Sequence, residues 1–451
     1  MQIDMHVTPQ VLAPRIAQLF ELSGQKIRSI DAGWDPSKGA PVFTIDGRYT
    51  SRGWTEWTQG FQFGSAILQF DATGDEAFLD IGRSRTLALM APHITHIGVH
   101  DHGFNNVSTY GNLLRLMVEG RIANDGWERA FYELALKSSG AVQAARWTDT
   151  RDGGFIPSFN GPHSLFVDTI RTLRALACGH RLGHALLGEN DRKISLLDRL
   201  LQHAQATARY GVYYGEGRDI YDVRGRVAHE SIFNTNDGNY RCPNSQQGYS
   251  PFSTWTRGLA WAMLGYAEQL EFLETVPDIE LERHGGRATV LAWMSKAAEA
   301  TCEFYIEHTA LDGVPYWDTG APDLHRLGDW RSRAADPFNT FEPVDSSAAA
   351  IAAQGLLRLG RHTHNERYWQ AGLTVCSTLF SEPYLSTQPD HQGLLLHSVY
   401  HRPNGWDAIP PGQSVPAGES SQWGDYHLME VALYLARIAQ GHPYLKFWAD
   451  A

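Results

Sequence analysis

The sequence predicts an all-α (α/α)6 barrel, and three observations predict it. Apolar residues recur at helical spacing in twelve segments. No Pro/Ser-rich linker interrupts the 451 residues. Polar and aromatic motifs gather at the N-terminal ends of alternate segments only. Twelve helices in unbroken succession fit six helical hairpins closed into a ring, with 1–451 as one domain. The hairpins are not close sequence repeats, so the ring follows from the count and not from self-similarity.

The segments run at 9–23, 54–71, 76–91, 104–119, 125–145, 164–186, 191–209, 253–273, 289–308, 345–360, 365–381 and 423–439. Several have readable ends. Gly-Asp at 74–75 and 424–425 marks helix boundaries, and Gly120, Gly360 and Gly441 follow apolar runs as C-caps do. Asp345-Ser346-Ser347 opens the Ala-rich tenth segment as an N-cap does. Strand-like alternation is scarce. Val212-Tyr213-Tyr214 and Ile220-Tyr221-Asp222-Val223 read as one short hairpin.

The even segments differ in kind from the odd ones. The second begins Trp54-Thr55-Glu56-Trp57-Thr58-Gln59-Gly60-Phe61, and the fourth follows His100-Asp101-His102-Gly103-Phe104. The sixth contains Phe166-Val167-Asp168-Thr169. The eighth contains Ser253-Thr254-Trp255-Thr256-Arg257-Gly258-Leu259-Ala260-Trp261. The twelfth starts Trp423-Gly424-Asp425-Tyr426. The odd segments carry ordinary amphipathic patterns. In such a ring the alternate helices are the inner ones, and their N-termini open on one face, so the motifs converge on a single funnel. Helix N-termini offer free N–H groups and positive dipole ends, which suit an anionic or hydroxyl-rich ligand. Small residues such as Gly60, Gly64 and Gly258 let inner helices crowd the axis.

Composition narrows the partners. A net charge of -12 with no basic stripe argues against nucleic acid. No apolar run is long enough for a membrane span, and Met1–Gln10 lacks the apolar core of a signal peptide, so a cytoplasmic protein is expected. Cys178, Cys242, Cys302 and Cys376 are far apart with no CxxC pair, so free thiols are expected and no metal or redox centre. The excess of 14 Trp, 20 His and 43 Gly suggests aromatic platforms in a polar cleft, as sugar ligands use.

Some residues invite chemistry, each with a plainer alternative. Asp168 lies in an apolar stretch, which should push its pKa up toward that of a general acid; the alternative is a first-turn capping Asp. Asp101 between His100 and His102 suits a cleft floor, or else a structural helix start; ligands one residue apart rarely face one metal. Arg257 and Trp261 share a helix face and could clamp a carboxylate and stack on a sugar, or simply pack together. Trp57 has the same ambiguity. His229, in an irregular polar segment, reads as a surface residue.

At these residues the sequence resembles the unsaturated glucuronyl hydrolases, glycoside hydrolase family 88, from about Trp54 to Leu435. The carrying motifs are those above, with Gln247-Gly248-Tyr249, Pro315-Tyr316-Trp317-Asp318, Asp345-Ser346-Ser347-Ala348-Ala349 and Leu396-His397-Ser398-Val399-Tyr400-His401. The resemblance implies removal of a Δ4,5-unsaturated uronic acid from the non-reducing end of lyase-generated oligosaccharides, with no cofactor or metal. It implies Asp168 as general acid/base and Asp101 as the second carboxylate. It implies Trp57, His100, His229, Gln247, Arg257, Trp261 and Tyr400 as lining the sugar pocket.

The implied substrate is a vinyl ether. Protonation at C4 gives an oxocarbenium-like centre at C5, and water adds there. One carboxyl group can serve both proton transfers, so Asp168 is expected protonated at rest, its pKa raised further by an ionised Asp101. The sequence departs from the family pattern at Ile170-Arg171-Thr172, at His102, and at Ser250-Pro251-Phe252. It also has extended loops near 212–250 and 309–344. Two alternatives remain: a saturated-glycoside hydrolase or sugar epimerase on the same barrel, and a non-catalytic carbohydrate-binding barrel.

Overall fold

The computed structural model describes residues 1–53 and 56–448. Among these residues twelve helical stretches carry the fold. They are α1 (Pro9–Gly33), α2 (Gln59–Thr73), α3 (Glu76–Leu89), α4 (102–118), α5 (Gly126–Ala145) and α6 (169–181). Then come α7 (196–211), α8 (Thr256–Leu273), α9 (Gly286–His308), α10 (Ser346–Thr363), α11 (Glu366–Leu379) and α12 (Gln422–Ala439). Trp54 and Thr55, the expected start of the second helix, lie outside the described residues.

The even helices form the inner ring: α2 packs on α4, α4 on α6, α6 on α8, α8 on α10, α10 on α12, and α12 closes on α2. Burial separates the two layers. Every residue of α8 is buried, as is α10 from Ser346 to Gly360, whereas α5 and α11 bury one face. Inner helices approach closely because glycines stand at the crossings. A Cβ on Gly60 would lie 2.4 Å from Asn105 Cα, and one on Gly103 would lie 2.2 Å from the carbonyl oxygen of Thr172. The axis is not purely apolar. Arg171, one of the departures noted above, is buried there, with Glu268 and Glu430 both at 2.9 Å.

Side-chain caps fix the helix starts. Asp345 accepts from Ser347 N and Ala348 N, as expected, and Asp125 and Ser195 do the same for α5 and α7. Gly360 is not a C-cap: α10 runs on to Thr363, and His364 takes the left-handed position.

Short strands decorate the ring. β1 (Phe43–Ile45) pairs with β2 (Arg48–Thr50), β3 (Thr148–Thr150) with β4 (Gly153–Phe155), and β6 (Ala185–Leu187) with β7 (Lys193–Ser195). β5 (Ser164–Phe166), β8 (Glu230–Phe233) and β9 (Tyr240–Asn244) form a three-stranded antiparallel sheet. The expected start of the sixth helix at 164 is therefore a strand, because Ser164–Phe166 pairs with Glu230–Ile232. The expected hairpin at 212–223 does not form. Val212 bridges Val227 instead, and the stretch between wraps round Asp222, whose carboxylate accepts from the N–H groups of Gly215, Glu216 and Arg218. No helix among the described residues is long and apolar enough to cross a membrane.

Candidate active site

The N-terminal ends of α2, α4, α6 and α8, with the loops that carry Phe159, Gln247 and Tyr400, surround a cavity of about 640 Å³ that includes its open mouth. Asp101 immediately precedes α4, and Asp168 immediately precedes α6. Neither side chain caps its helix, so the plainer capping alternative falls away for both. His100 joins them: its Nε2 lies 3.4 Å from Asp168 Oδ2 and 3.7 Å from Asp101 Oδ1. All three residues are buried. Their ligand-capable atoms fall within 4.8 Å of one another, so the two carboxylates face one space from neighbouring walls. The imidazole nitrogen makes a long hydrogen bond to Asp168 and only an electrostatic contact with Asp101.

The protonation of this trio differs from the expectation. Burial is the largest influence on each member. It pushes Asp101 up, and the neighbouring Asp168 charge adds to that; Asp101 ends above its ordinary value. Burial alone would push Asp168 up too. His100 counters it through charge and hydrogen bond, His229 adds to this, and Asp168 ends below its ordinary value. His100 is raised, because its two carboxylates outweigh the cost of burial. The apolar neighbours of Asp168 in sequence therefore misled. Phe166 belongs to a strand, while the carboxylate itself faces an imidazole.

His102, next along the motif, turns away from the cavity. Its Nδ1 meets Ser139 Oγ at 3.0 Å and its Nε2 meets the carbonyl of His96 at 2.9 Å.

Aromatic side chains build the remaining walls. Trp57 stacks on Trp423 with ring centroids 4.9 Å apart, and Trp423 is wholly buried behind it. Trp261 packs against Phe104 at 4.8 Å. Tyr400 sits between Phe43 and Trp423, its hydroxyl buried without a partner. Of the nine residues expected at the site, eight line this cavity.

The ninth, His229, is not the surface residue its local sequence suggested. It is buried beside Phe166 and Trp255, because β8 draws the chain against β5. Its Nδ1 accepts from Gln246 N at 3.0 Å, and burial holds the ring down at about 4, hence neutral. The proton of that neutral ring belongs on Nε2, which is buried without a partner.

Arg257 is tied more tightly than a ligand clamp would be. One terminal nitrogen donates to Asp345 at 2.8 Å and to the carbonyl of Val399. The other donates to the carbonyl of Tyr400 at 2.8 Å and approaches Gln247 Oε1 at 3.4 Å. It braces the wall that holds Tyr400 and Gln247.

Phe159, Gln246, Trp255, His401 and Trp406 also line the cavity and were not singled out. Trp255 and His401 belong to the motifs above, two residues before Arg257 and one after Tyr400. Phe159 and Trp406 lie in stretches with no helical period, where sequence carries no signal of facing.

Taken together, this is an (α/α)6 barrel with an aromatic-walled polar cleft at one end, of the kind that takes a carbohydrate. The chain is similar, over most of its length, to the unsaturated glucuronyl hydrolases. One such enzyme from Formosa agariphila is 26% identical over 378 residues, covering 83% of this chain and 78% of that protein. A solved unsaturated glucuronyl hydrolase from Bacillus sp. GL1 superposes with a TM-score of 0.70 at 22% identity, covering 94% of this chain and 97% of that one. Another, described as specific for heparin, superposes with a TM-score of 0.72 at 19% identity, covering 95% and 98%. No family model matches the chain.

Proposed function

We propose that this chain is a glycoside hydrolase that removes a Δ4,5-unsaturated uronic acid from the non-reducing end of small oligosaccharides. One observation carries the reading. Four residues that line this cavity carry a buried polar atom without a partner: His100 Nδ1, Asp168 Oδ1, Gln246 Oε1 and Tyr400 Oη. Orphaned polar atoms are expensive unless a ligand satisfies them.

In the proposed cycle Asp168 delivers a proton to C4 of the C4=C5 bond. Positive charge develops at C5 and on the ring oxygen, where the Asp101 and Asp168 carboxylates face it. Water adds to C5 and returns its proton to Asp168. The resulting hemiketal opens and expels the aglycone. Asp168 starts short of a proton, and His100 at 3.4 Å is the nearest store of one. An incoming uronate charge favours the transfer, because it raises the pKa of Asp168. Gln247 turns its oxygen toward Arg257, which leaves its amide N–H groups for the uronate, with the Tyr400 hydroxyl as a second donor.

The other readings fit less well. An inverting hydrolase needs its carboxyls about 6.5–9.5 Å apart to admit water. An epimerase needs paired bases, and the open nitrogen of His229 already carries a proton. The four unpaired cysteines suit a reducing compartment, so we place the reaction in the cytoplasm.

The test is a panel of lyase-generated unsaturated disaccharides, followed by loss of their ultraviolet absorbance. Turnover by the wild-type chain supports the reading. Hydrolysis of ordinary glycosides with none of the panel consumed rejects it, and so does binding without conversion.

A further inference from the structure

Arg146 stands at the C-terminal end of the outer helix α5 and does not line the cavity. Its side chain nevertheless reaches both segments that build the catalytic corner. One terminal nitrogen donates to the carbonyl of Ile97. The other donates to the carbonyls of Pro157 at 2.8 Å and Ser158 at 3.0 Å. The first segment runs on to His100 and Asp101. The second runs on to Phe159, whose ring stacks on His100 with centroids 6.1 Å apart. A guanidinium suits this task, because its donors lie in one rigid fork, whereas an ammonium is a flexible point donor.

We propose that Arg146 is a positioning residue for the reaction: it sets the spacing of the Asp101 and Phe159 segments and gives Asp101 a cationic neighbour. This rests on the hydrolase reading above. The charged groups that act on Asp101 are, in falling order, His100, Asp168, Arg146 and His96. His203 and His229 lie within electrostatic reach of His100. Within that set Arg146 favours ionised Asp101 and disfavours charge on His100. The arrangement thus couples a mechanical role to an electrostatic one, and the two can be separated by substitution.

The experiment uses the full chain as Arg146→Gln and Arg146→Lys. Each is assayed on an unsaturated disaccharide across pH, with the Asp101 carboxyl carbon titrated by NMR. Arg146→Gln is expected to lower kcat by about tenfold or more with a smaller change in KM, since misplacement harms the reacting geometry most. Its acid limb and the Asp101 titration should both move to higher pH, because the cation is lost. Arg146→Lys should restore the limb and the titration but not kcat, because it keeps the charge and loses the fork. An unmoved titration in Arg146→Gln, or full recovery of kcat in Arg146→Lys, overturns the proposal. The NMR readout needs no turnover. A wild-type chain inert toward the whole panel, with the titration shift present, rejects the hydrolase reading alone.

Discussion

His100 Nε2 lies 3.4 Å from Asp168 Oδ2 and 3.7 Å from Asp101 Oδ1, so one imidazole serves two carboxylates from different stretches of chain. Each carboxylate raises His100, and His100 lowers each of them, so the titration of one depends on the others. Replacing either carboxylate by its amide should separate their roles. Asp168→Asn should lower kcat by about 10³-fold on an unsaturated disaccharide, within the usual range for losing a general acid. Asp101→Asn should leave Asp168 working but poorly supported, with a smaller loss. Circular dichroism should show both variants folded. Activity retained in Asp168→Asn would reject the assignment.

His100→Gln tests the sharing directly. His100 lowers Asp168, so its removal should let the Asp168 pKa rise. That rise does not replace the lost store, because the pair holds its shared proton to a higher pH than Asp168 alone can, so the alkaline limb of the pH–rate profile should move to lower pH. A limb that stays put, or moves up, would count against the proton store.

Arg257 and Asp345 form a buried pair at 2.8 Å, each almost fully enclosed. Arg257→Met removes the cation and strands the carboxylate. Breaking such a pair costs about 3–5 kcal/mol. The variant should show a clear fall in melting temperature and a loss of substrate affinity, since Val399 and Tyr400 lose their brace. Calorimetry and KM measured on the same preparation check both effects. Unchanged stability would mean that the pair is not integral to the wall.

Histidine burial sets the acid stability. Among the described residues His93, His102, His203, His229, His397, His401 and His427 are buried and held neutral, their values lowered by burial to between about 3 and 4. Unfolding returns each toward 6.5, where it binds a proton that the folded ring refuses. The stability from these neutral rings is complete above pH 6.5 and is lost as pH falls toward 4. Each contributes up to about 1.4 kcal/mol per pH unit of that window. Melting temperature should fall steeply between pH 6.5 and 5. A flat profile there would show that the rings are hydrated.

Gly103→Ala tests the ring itself. The added methyl would meet the Thr172 backbone at 2.2 Å, where no side-chain adjustment can relieve it. Overpacking typically costs about 1–3 kcal/mol, and backbone contact belongs at the upper end. The variant should melt earlier and also lose activity, since α4 and α6 carry Asp101 and Asp168 at their starts.

Much of this was legible in the residues. The twelve apolar periods survive as twelve helices, and the alternation of motif-bearing and plain segments is the alternation of inner and outer ring. The failures share a cause. Leu165-Phe166-Val167 satisfies a buried strand as well as a helix, and only the distant partner Glu230–Phe233 decides between them. His229 looked exposed because its neighbours are polar, yet Trp255 and Phe166 cover it from elsewhere in the chain. Asp168 looked like a group raised by apolar surroundings, yet the deciding neighbour, His100, lies far away in sequence. Local sequence reports what flanks a side chain and not what it faces.

The stacking of Trp57 on Trp423 has a consequence for the order of synthesis. Trp57 lies just ahead of the first inner helix and Trp423 in the first turn of the last, and they meet only where the ring closes. Arg257 likewise waits for Asp345, Val399 and Tyr400. His100, Asp101 and Asp168 all belong to the first half of the chain, whereas the aromatic wall of Trp57 and Trp423 is complete only once the final helix docks. Substrate or a product analogue should therefore act as a clasp across the seam, stabilising the closed ring over any partly assembled form.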